Sequence, residues 1–228
     1  MPIVSKSISA LFLTFFLCFI TSCRSSSPST TYGDGIDISH HQGNINWKKV
    51  SRQKSLQFVY IKATEGGTYQ DPAYRKNLKQ ARRRGMKVGS YHFMRTTSSV
   101  WLQFLNFMCH VDPKKQDLVP MIDVEECKKW TSQQLADSVN LLSRLFEKVY
   151  GKKPIIYSGQ NFYNKRLTNR LPEHPLWIAC YRNQPPTVSS PYIIWQFTQK
   201  AQIPGISTPV DLNVFTSGGN LKQLELRK

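Results

Sequence analysis

Short runs of apolar residues, each ending in polar or small residues, recur along the chain from Gly33 onward. Runs of this length and composition predict buried β-strands. Eight such strands are predicted, namely Gly35–Ile38, Phe58–Ala63, Lys87–Phe93, Leu118–Val124, Pro154–Tyr157, Leu176–Ala179, Ile193–Phe197 and Val210–Val214.

Amphipathic helical patterns lie between several of these strands. In the clearest one, apolar residues recur at helical spacing from Leu135 to Val149. Thr131 or Ser132 supplies the N-cap, and Gly151 closes the helix, as glycine commonly does at a helix C-terminus.

Three further helices are predicted from shorter patterns. Asp71 precedes Pro72, which predicts a capping side chain and a proline at the first helical position, with the helix stopping near Gly85. Ser98 opens a second helix with Trp101 on its apolar side, so we expect Trp101 to be a core residue. The third is a short helix, Trp47–Val50.

Strands that alternate with helices predict an α/β fold, a modified (β/α)₈ TIM-like barrel. The chain is shorter than usual for such a barrel, and its late crossovers leave little room for full helices. We therefore expect some helices to be short or missing. A doubly wound open sheet is the alternative fold, but no GxGxxG or P-loop follows the first strand to support a nucleotide site.

The N-terminal residues predict export. An apolar run from Ile8 to Ile20 follows Lys6, which is typical of a signal peptide and short for a membrane span. The run ends in Thr21-Ser22-Cys23, which resembles a bacterial lipobox and predicts a lipid on Cys23; a plain secretory signal is the alternative. A lipid there would anchor the protein to a bacterial membrane, facing the periplasm or the cell exterior. The predicted organisation is a signal peptide 1–22, a Ser/Thr-rich tether 23–34, a barrel 35–217 and a tail 218–228.

Composition adds a constraint on partners. The chain has 228 residues, 40% of them hydrophobic, and 31 Lys and Arg against 14 Asp and Glu give a net charge of +17. Such a charge favours an anionic partner such as nucleic acid, a membrane surface or cell wall. The sequence has no RRM or helix-turn-helix signal, and an exported protein seldom meets nucleic acid, so we expect no nucleic-acid partner.

The cysteines do not predict a disulfide framework or a metal site. Cys109, Cys127 and Cys180 remain once Cys18 leaves with the signal and Cys23 carries lipid, so at most one bridge can form. No CxxC or Cys/His cluster appears, and we expect neither a metal nor another cofactor.

An acidic pair is the sharpest local motif. In Asp123-Val124-Glu125, residues i and i+2 of a strand face the same side, so both carboxylates enter one pocket. In such a pocket one carboxyl group keeps its proton while the other stays ionised, which suits a glycosidase. The alternative is an acid pair that caps a helix or pairs with Lys128 and Lys129. Other chemically active residues also lie at predicted strand ends, where a barrel builds its active site: Asp37, Lys62, Tyr91, His92, Tyr157, Trp195 and Asp211.

Several blocks in order along the chain resemble glycoside hydrolase family 25, the Chalaropsis-type lysozymes. They are GIDISHHQG from Gly35, FVYIKATEG from Phe58, GSYHF from Gly89, MIDVEE from Met121, PIIYS from Pro154, LWIA from Leu176, WQF from Trp195 and VDLN from Val210. The resemblance implies a monomeric enzyme that cleaves the β-1,4 bond between N-acetylmuramic acid and N-acetylglucosamine of peptidoglycan with retention of configuration. A non-catalytic peptidoglycan-binding module on the same fold is the alternative.

The resemblance also implies roles for individual residues. Glu125 matches the general acid/base and Asp123 its acidic partner, either as a nucleophile or as the group that orients the substrate's acetamide. Asp37 and Asp211 match acids of the pocket floor. His41 stands where the family often has tryptophan, which affects sugar binding rather than the acids. The residues expected at sugar subsites are Tyr91, Tyr157 and Trp195, with Lys62 and Glu65 either contacting substrate or forming a rim ion pair.

Overall fold

Eight strands close into a barrel in the computed structural model, which describes residues 33–226. The strands are β1 (Gly35–Ile38), β2 (Phe58–Glu65), β3 (Tyr69–Gln70), β4 (Lys87–Phe93), β5 (Met121–Asp123), β6 (Ile155–Gly159), β7 (Leu176–Ala179), β8 (Ile194–Ala201) and β9 (Val210–Phe215). The two-residue β3 pairs only with β2 and lies outside the barrel. The predicted signal peptide, Cys23 and most of the tether lie outside the described residues.

The barrel is mixed rather than fully parallel. Neighbours from β1 through β2 and β4 to β8 pair in parallel, whereas β9 is antiparallel to both β8 and β1 and closes the ring between them. Only residues 202–209 connect β8 to β9. A parallel crossover needs about a dozen residues or more, so this connection returns the chain in the opposite direction. The predicted barrel is confirmed, with this one strand reversed.

Five α-helices lie within residues 33–226: α1 (Trp47–Val50), α2 (Tyr74–Arg83), α3 (Val100–His110), α4 (Ser132–Tyr150) and α5 (Gln160–Arg166). The α4 prediction is confirmed, because Thr131 caps it in a capping box with Gln134 and Gly151 ends it in the left-handed region at φ 70°. In the described part of the chain, no helix separates β7 from β8 or β8 from β9, as the short crossovers predicted. None of these helices is long and apolar enough to cross a membrane.

The start of α2 differs from the prediction. The helix begins at Tyr74 rather than at Pro72, and its N-cap residue makes no side-chain hydrogen bond. The Asp71 carboxylate instead accepts hydrogen bonds from the Ala73 N–H and from the backbone N–H of His40. Asp71 therefore ties the turn before α2 to the end of β1.

The prediction that Trp101 is a core residue was wrong, since 56% of it is exposed. The buried side of α3 carries Val100 and Phe107 together with the amides of Gln103 and Asn106. Gln103 accepts a hydrogen bond from the Arg95 N–H and donates to the Arg95 carbonyl, while Asn106 donates to the Gly66 carbonyl. Loop backbone groups under the helix need these partners, so polar side chains face inward.

Aromatic side chains fill the barrel interior. Phe58 and Tyr60 point inward from β2, and the Tyr60 ring packs edge-on against Trp177, with ring centroids 5.3 Å apart. Gly89 on β4 makes room, because a Cβ there would lie 2.3 Å from the Tyr60 ring. At the amino-terminal end of the barrel, fully buried Leu224 accepts a backbone hydrogen bond from Val119. Part of the predicted tail therefore packs against the barrel.

Candidate active site

A pocket of about 260 Å³ opens at the carboxyl ends of the parallel strands and holds four carboxyl groups. The predicted residues that line the pocket come from the ends of six of the eight barrel strands, where a barrel of this kind builds its active site. Seven residues that the sequence singled out line the pocket: Asp37, Lys62, Tyr91, Asp123, Glu125, Tyr157 and Asp211.

Asp211 reaches this pocket because β9 is reversed. The sequence placed it at a strand end with the other acids, and it lies near the amino end of β9 rather than the carboxyl end. In an antiparallel strand that end faces the same mouth, and Asp211 is the direct pairing partner of Asp37 on β1. The two carboxyl groups therefore lie side by side on neighbouring strands.

Asp37 and Asp211 are adjacent carboxyl groups on paired strands, and burial makes both harder to ionise. Burial raises the pKa of Asp37 to about 6, against hydrogen bonds that lower it. Burial, the negative charge of Asp37 and the hydrogen bond between the two groups raise the pKa of Asp211 to about 8. Asp37 Oδ2 also accepts hydrogen bonds from Asn213 Nδ2 at 2.8 Å and Gln196 Nε2 at 3.0 Å. Near neutral pH, Asp37 is therefore the ionised partner and Asp211 the protonated one.

Asp123 and Glu125 occupy different depths. Asp123 is 7% exposed, and its Oδ1 has no hydrogen-bond partner among the described residues. Burial, followed by the charges of Glu125 and Asp37, raises its pKa well above the usual range. Glu125 lies beyond the end of β5, exposed at the mouth of the pocket. Desolvation by surrounding protein atoms raises its pKa, opposed by its interaction with Tyr157 and by the charge of Lys62.

Neutral side chains organise these acids, and three of them, Gln196, Asn213 and Tyr181, were not predicted from the sequence. The hydroxyls of Tyr157 and Tyr181 donate to Gln196 Oε1 at 2.9 and 2.6 Å, which directs Gln196 Nε2 toward Asp37. Asn213 lies two residues after Asp211 on β9, and it faces the same side for that reason. The two-residue period could have identified Asn213, and Gln196 stands beside Trp195 in a block already quoted, whereas no pattern pointed to Tyr181.

Two residues predicted to bind substrate lie outside the acid pocket. Trp195 faces away from it, is half-buried, and its indole N–H donates to the Cys180 carbonyl at 2.8 Å. Glu65 lines a neighbouring cavity and accepts hydrogen bonds from Lys62 Nζ at 2.6 Å and Arg95 Nε at 2.8 Å. Lys62 and Glu65 thus form the rim ion pair that was one of the two expectations.

His41 lies at the pocket wall, where the family often has tryptophan. Its ring stacks on His40 with centroids 4.0 Å apart, and His40 Nδ1 lies 2.8 Å from the buried Asp71 carboxylate. An imidazole thus takes the position expected for a larger aromatic ring. Its polar edge changes what this wall can offer a sugar.

Residues 33–226 also contain three cysteines and other possible metal ligands outside the acid pocket. In this range no three His, Cys, Asp or Glu side chains are arranged to hold a metal ion. Cys109, Cys127 and Cys180 are free thiols. The four carboxyl groups are therefore the chemically distinctive cluster of the described chain, and their arrangement suits proton transfer beside a developing positive charge.

Comparisons with known proteins agree with this geometry. A model of the family described as Glycosyl hydrolases family 25 matches residues 36–206, a range that contains Asp37, Asp123 and Glu125 and ends before β9. Lysozyme M1 of Streptomyces globisporus is 30% identical over 209 residues, covering 84% of this chain and 71% of its own. YegX, an uncharacterized protein of Escherichia coli K12, is 36% identical over 203 residues, covering 87% of this chain and 74% of its own.

A solved structure supports the same relationship. A family 25 glycosyl hydrolase from Bacillus anthracis matches with a TM-score of 0.75 and 31% identity, covering 83% of this chain and 90% of that one.

Proposed function

The chain belongs to glycosyl hydrolase family 25, and we propose that it cleaves the β-1,4 bond between N-acetylmuramic acid and N-acetylglucosamine in peptidoglycan, with retention of configuration. It is a glycoside hydrolase of the muramidase type. The observation that carries the proposed reaction is the convergence of four carboxyl groups with raised pKa in one small pocket, with Glu125 at its mouth.

Glu125 is the general acid/base in this proposal. Its raised pKa favours the protonated form, and its position at the mouth gives it access to a glycosidic oxygen. It donates its proton to that oxygen as the bond to the muramic acid breaks. The resulting carboxylate then takes a proton from the water that completes hydrolysis.

Asp123 orients the acetamide group of the muramic acid in this proposal. Its Oδ1 is buried in the pocket without a hydrogen-bond donor among the described residues, so it can accept one from a substrate. The N–H of the muramic acid acetamide supplies such a donor, and orienting that acetamide lets its carbonyl oxygen attack the anomeric carbon. Direct attack by Asp123 is the other retaining route.

Asp37 and Asp211 stabilise positive charge on the sugar ring. Asp37 is the ionised member of their pair, held by Asn213 and Gln196, so its negative charge is fixed before substrate arrives. Tyr91, Tyr157 and Lys62 line the same pocket and are proposed sugar contacts. Trp195 acts indirectly, by holding the Cys180 carbonyl next to Tyr181.

The test uses a chain that begins at Thr31, with purified peptidoglycan as substrate. We expect fragments with muramic acid at the new reducing end, formed first as the β-anomer, and no release by Glu125→Gln. Glu126→Gln is the matched control, because Glu126 is the adjacent acid, pairs with Arg95 and lies outside the acid pocket.

Each other outcome would change the assignment. N-acetylglucosamine ends would make the enzyme a glucosaminidase, and equal release by Glu125→Gln would remove Glu125 from its role. Sedimentation with the wall without any release would favour the non-catalytic binding module.

We also propose that the protein is exported and carries a lipid on Cys23, so that a monomeric barrel works close to a membrane. The support is the signal-like run and lipobox-like Cys23, together with a net charge of +17 that suits an anionic wall. Metabolic labelling with a radioactive fatty acid tests this. We expect label in the full chain and none in Cys23→Ala.

A further inference from the structure

A basic groove of about 760 Å³ lies between α2 and the C-terminal end of α3, and it shares no residue with the acid pocket. Leu78 and Met108 contribute apolar surface to it, and Asp112 is its single carboxylate. Its cations are Arg75, Lys79, Arg82, Arg83 and Lys115.

Three of these cations form no ion pair within residues 33–226. Arg82 pairs with Asp117, and Lys115 pairs with Asp112. Arg75, Lys79 and Arg83 are exposed, and none forms an ion pair with a carboxylate of residues 33–226. The groove therefore carries an excess of positive charge.

The unpaired cations are spaced four residues apart along α2. Residues i and i+4 are neighbours on a helix surface, so Arg75, Lys79 and Arg83 form one row of like charges. Such a row destabilises a helix, and α2 contains no acidic residue to relieve the repulsion. An anionic ligand with several charges would relieve it along the whole row.

The exposed face of α3 continues this surface with apolar residues. Trp101, Leu102 and Leu105 are 56%, 54% and 52% exposed. Trp101 and Leu105 precede Met108 and Cys109 at helical spacing, and these last two line the basic groove. An apolar ridge on α3, formed by Trp101, Leu102 and Leu105, thus leads toward the groove that contains the cations of α2.

We propose that this α2–α3 surface, defined by Arg75, Lys79, Arg83, Trp101 and Leu105, binds an anionic phospholipid membrane. The cations fit the phosphates of the headgroups, and the ridge fits the boundary between headgroups and acyl chains, where tryptophan is favoured. A soluble polyanion would use the cations and leave the exposed ridge without a function. The surface lies on the barrel wall, so the mouth of the acid pocket stays open when it is occupied.

Vesicle sedimentation tests the proposal with the chain that begins at Thr31, which lacks the predicted lipid anchor. We expect binding to vesicles in which phosphatidylglycerol replaces about a third of the phosphatidylcholine, and little binding to phosphatidylcholine alone. Each cation near an anionic surface changes partitioning roughly fivefold, so Arg75→Gln/Lys79→Gln/Arg83→Gln should weaken binding on the order of 100-fold. The control Lys54→Gln/Lys165→Gln/Lys200→Gln removes the same charge from exposed positions outside the groove and should keep most of the affinity.

The ridge has its own readout. Brominated acyl chains should quench the fluorescence of the wild type, and this quenching should disappear in Trp101→Phe, since the other four tryptophans are buried or half-buried. All variants should cleave soluble glycan fragments at the wild-type rate if that activity is present, and should melt as the wild type does.

Three results would overturn the proposal. The first is an equal loss of binding in the two triple variants, which would mean that only total charge matters. The second is unchanged quenching in Trp101→Phe. The third is a groove variant that loses binding to inorganic polyphosphate while vesicle binding persists, which would assign the groove to a soluble polyanion.

Discussion

Asp211→Asn should stabilise the protein at alkaline pH. An acid whose pKa is raised in the folded state binds its proton more tightly there than in the unfolded chain. The free energy of unfolding therefore falls as pH rises between 3.8 and about 8, the ordinary and folded-state pKa values of Asp211. Asparagine keeps an N–H donor for Asp37 and cannot ionise, so the variant escapes this loss.

The expected size of the effect follows from the pKa shift. Each pKa unit corresponds to about 1.4 kcal/mol, so the rise from 3.8 to about 8 amounts to roughly 5 to 6 kcal/mol once Asp211 is ionised. Asp37 and Asp211 titrate as a pair, so the penalty belongs to both groups. We expect the single substitution to recover about half, roughly 2 to 3 kcal/mol above pH 8, and close to nothing near pH 4.

Urea denaturation of wild type and Asp211→Asn across this pH range measures the effect. The difference between the two curves is the useful quantity, because buried His92 and His174, with pKa values lowered to about 4 mainly by burial, make the raw stability rise with pH below their ordinary value. Asp112→Asn is the control, since its exposed carboxylate has a pKa lowered by Lys115 and gains nothing from neutralisation. If the difference in unfolding free energy between the two proteins stays constant from pH 4 to above 8, Asp211 is not the acid whose pKa is raised by folding.

Three further predictions concern the site and the core. The kcat/KM on peptidoglycan fragments should fall as pH drops below about 6, because Asp37 gains a proton there. A pH-rate profile that is unchanged through this range would contradict the role of Asp37 as the ionised acid of the Asp37–Asp211 pair. Gln196→Leu should lower kcat/KM by about 10- to 100-fold, because it removes a hydrogen bond to a charged carboxylate, whereas Trp195→Phe should lower it by less than about 10-fold. Steady-state kinetics that reverse this order would exclude a role for the hydrogen bonds around Gln196. Leu224→Ala should destabilise the protein by about 2 to 4 kcal/mol in urea denaturation, because Leu224 is fully buried, whereas exposed Leu102→Ala should cost less than about 0.5 kcal/mol. Equal effects would mean that the C-terminal segment does not pack as described.

The strands and α4 could be predicted because burial alone determines them. Each barrel strand overlaps a predicted apolar run, although β5 is shorter than predicted and β8 longer, and α4 combines an apolar stripe with a cap at each end. The buried face of α3 could not be predicted in this way. Gln103 and Asn106 face inward beside Val100 and Phe107 because the loops beneath need hydrogen-bond partners, and the apolar Trp101, Leu102 and Leu105 lie on the exposed side.

The residues of the candidate site were also only partly predictable from the sequence. Its acids could be found because carboxylates at strand ends are unusual and because Asp123 and Glu125 have the spacing of one strand face. The reversed direction of β9 was not predicted, because it depends on the short chain between β8 and β9 rather than on either strand. Tyr181 lies after the end of β7, where no periodicity constrains a side chain.

The aromatic interior of the barrel contributes to the charge pattern of the acid pocket. The Trp177 indole N–H can only donate, and it donates to Asn213 Oδ1 at 3.0 Å. Asn213 must then direct its Nδ2 group elsewhere, and it donates to Asp37 Oδ2. Since Trp177 is fully buried among aromatic rings, it cannot turn to release Asn213. Core packing thus favours the ionised form of Asp37 by fixing the orientation of Asn213, while burial keeps the proton on neighbouring Asp211.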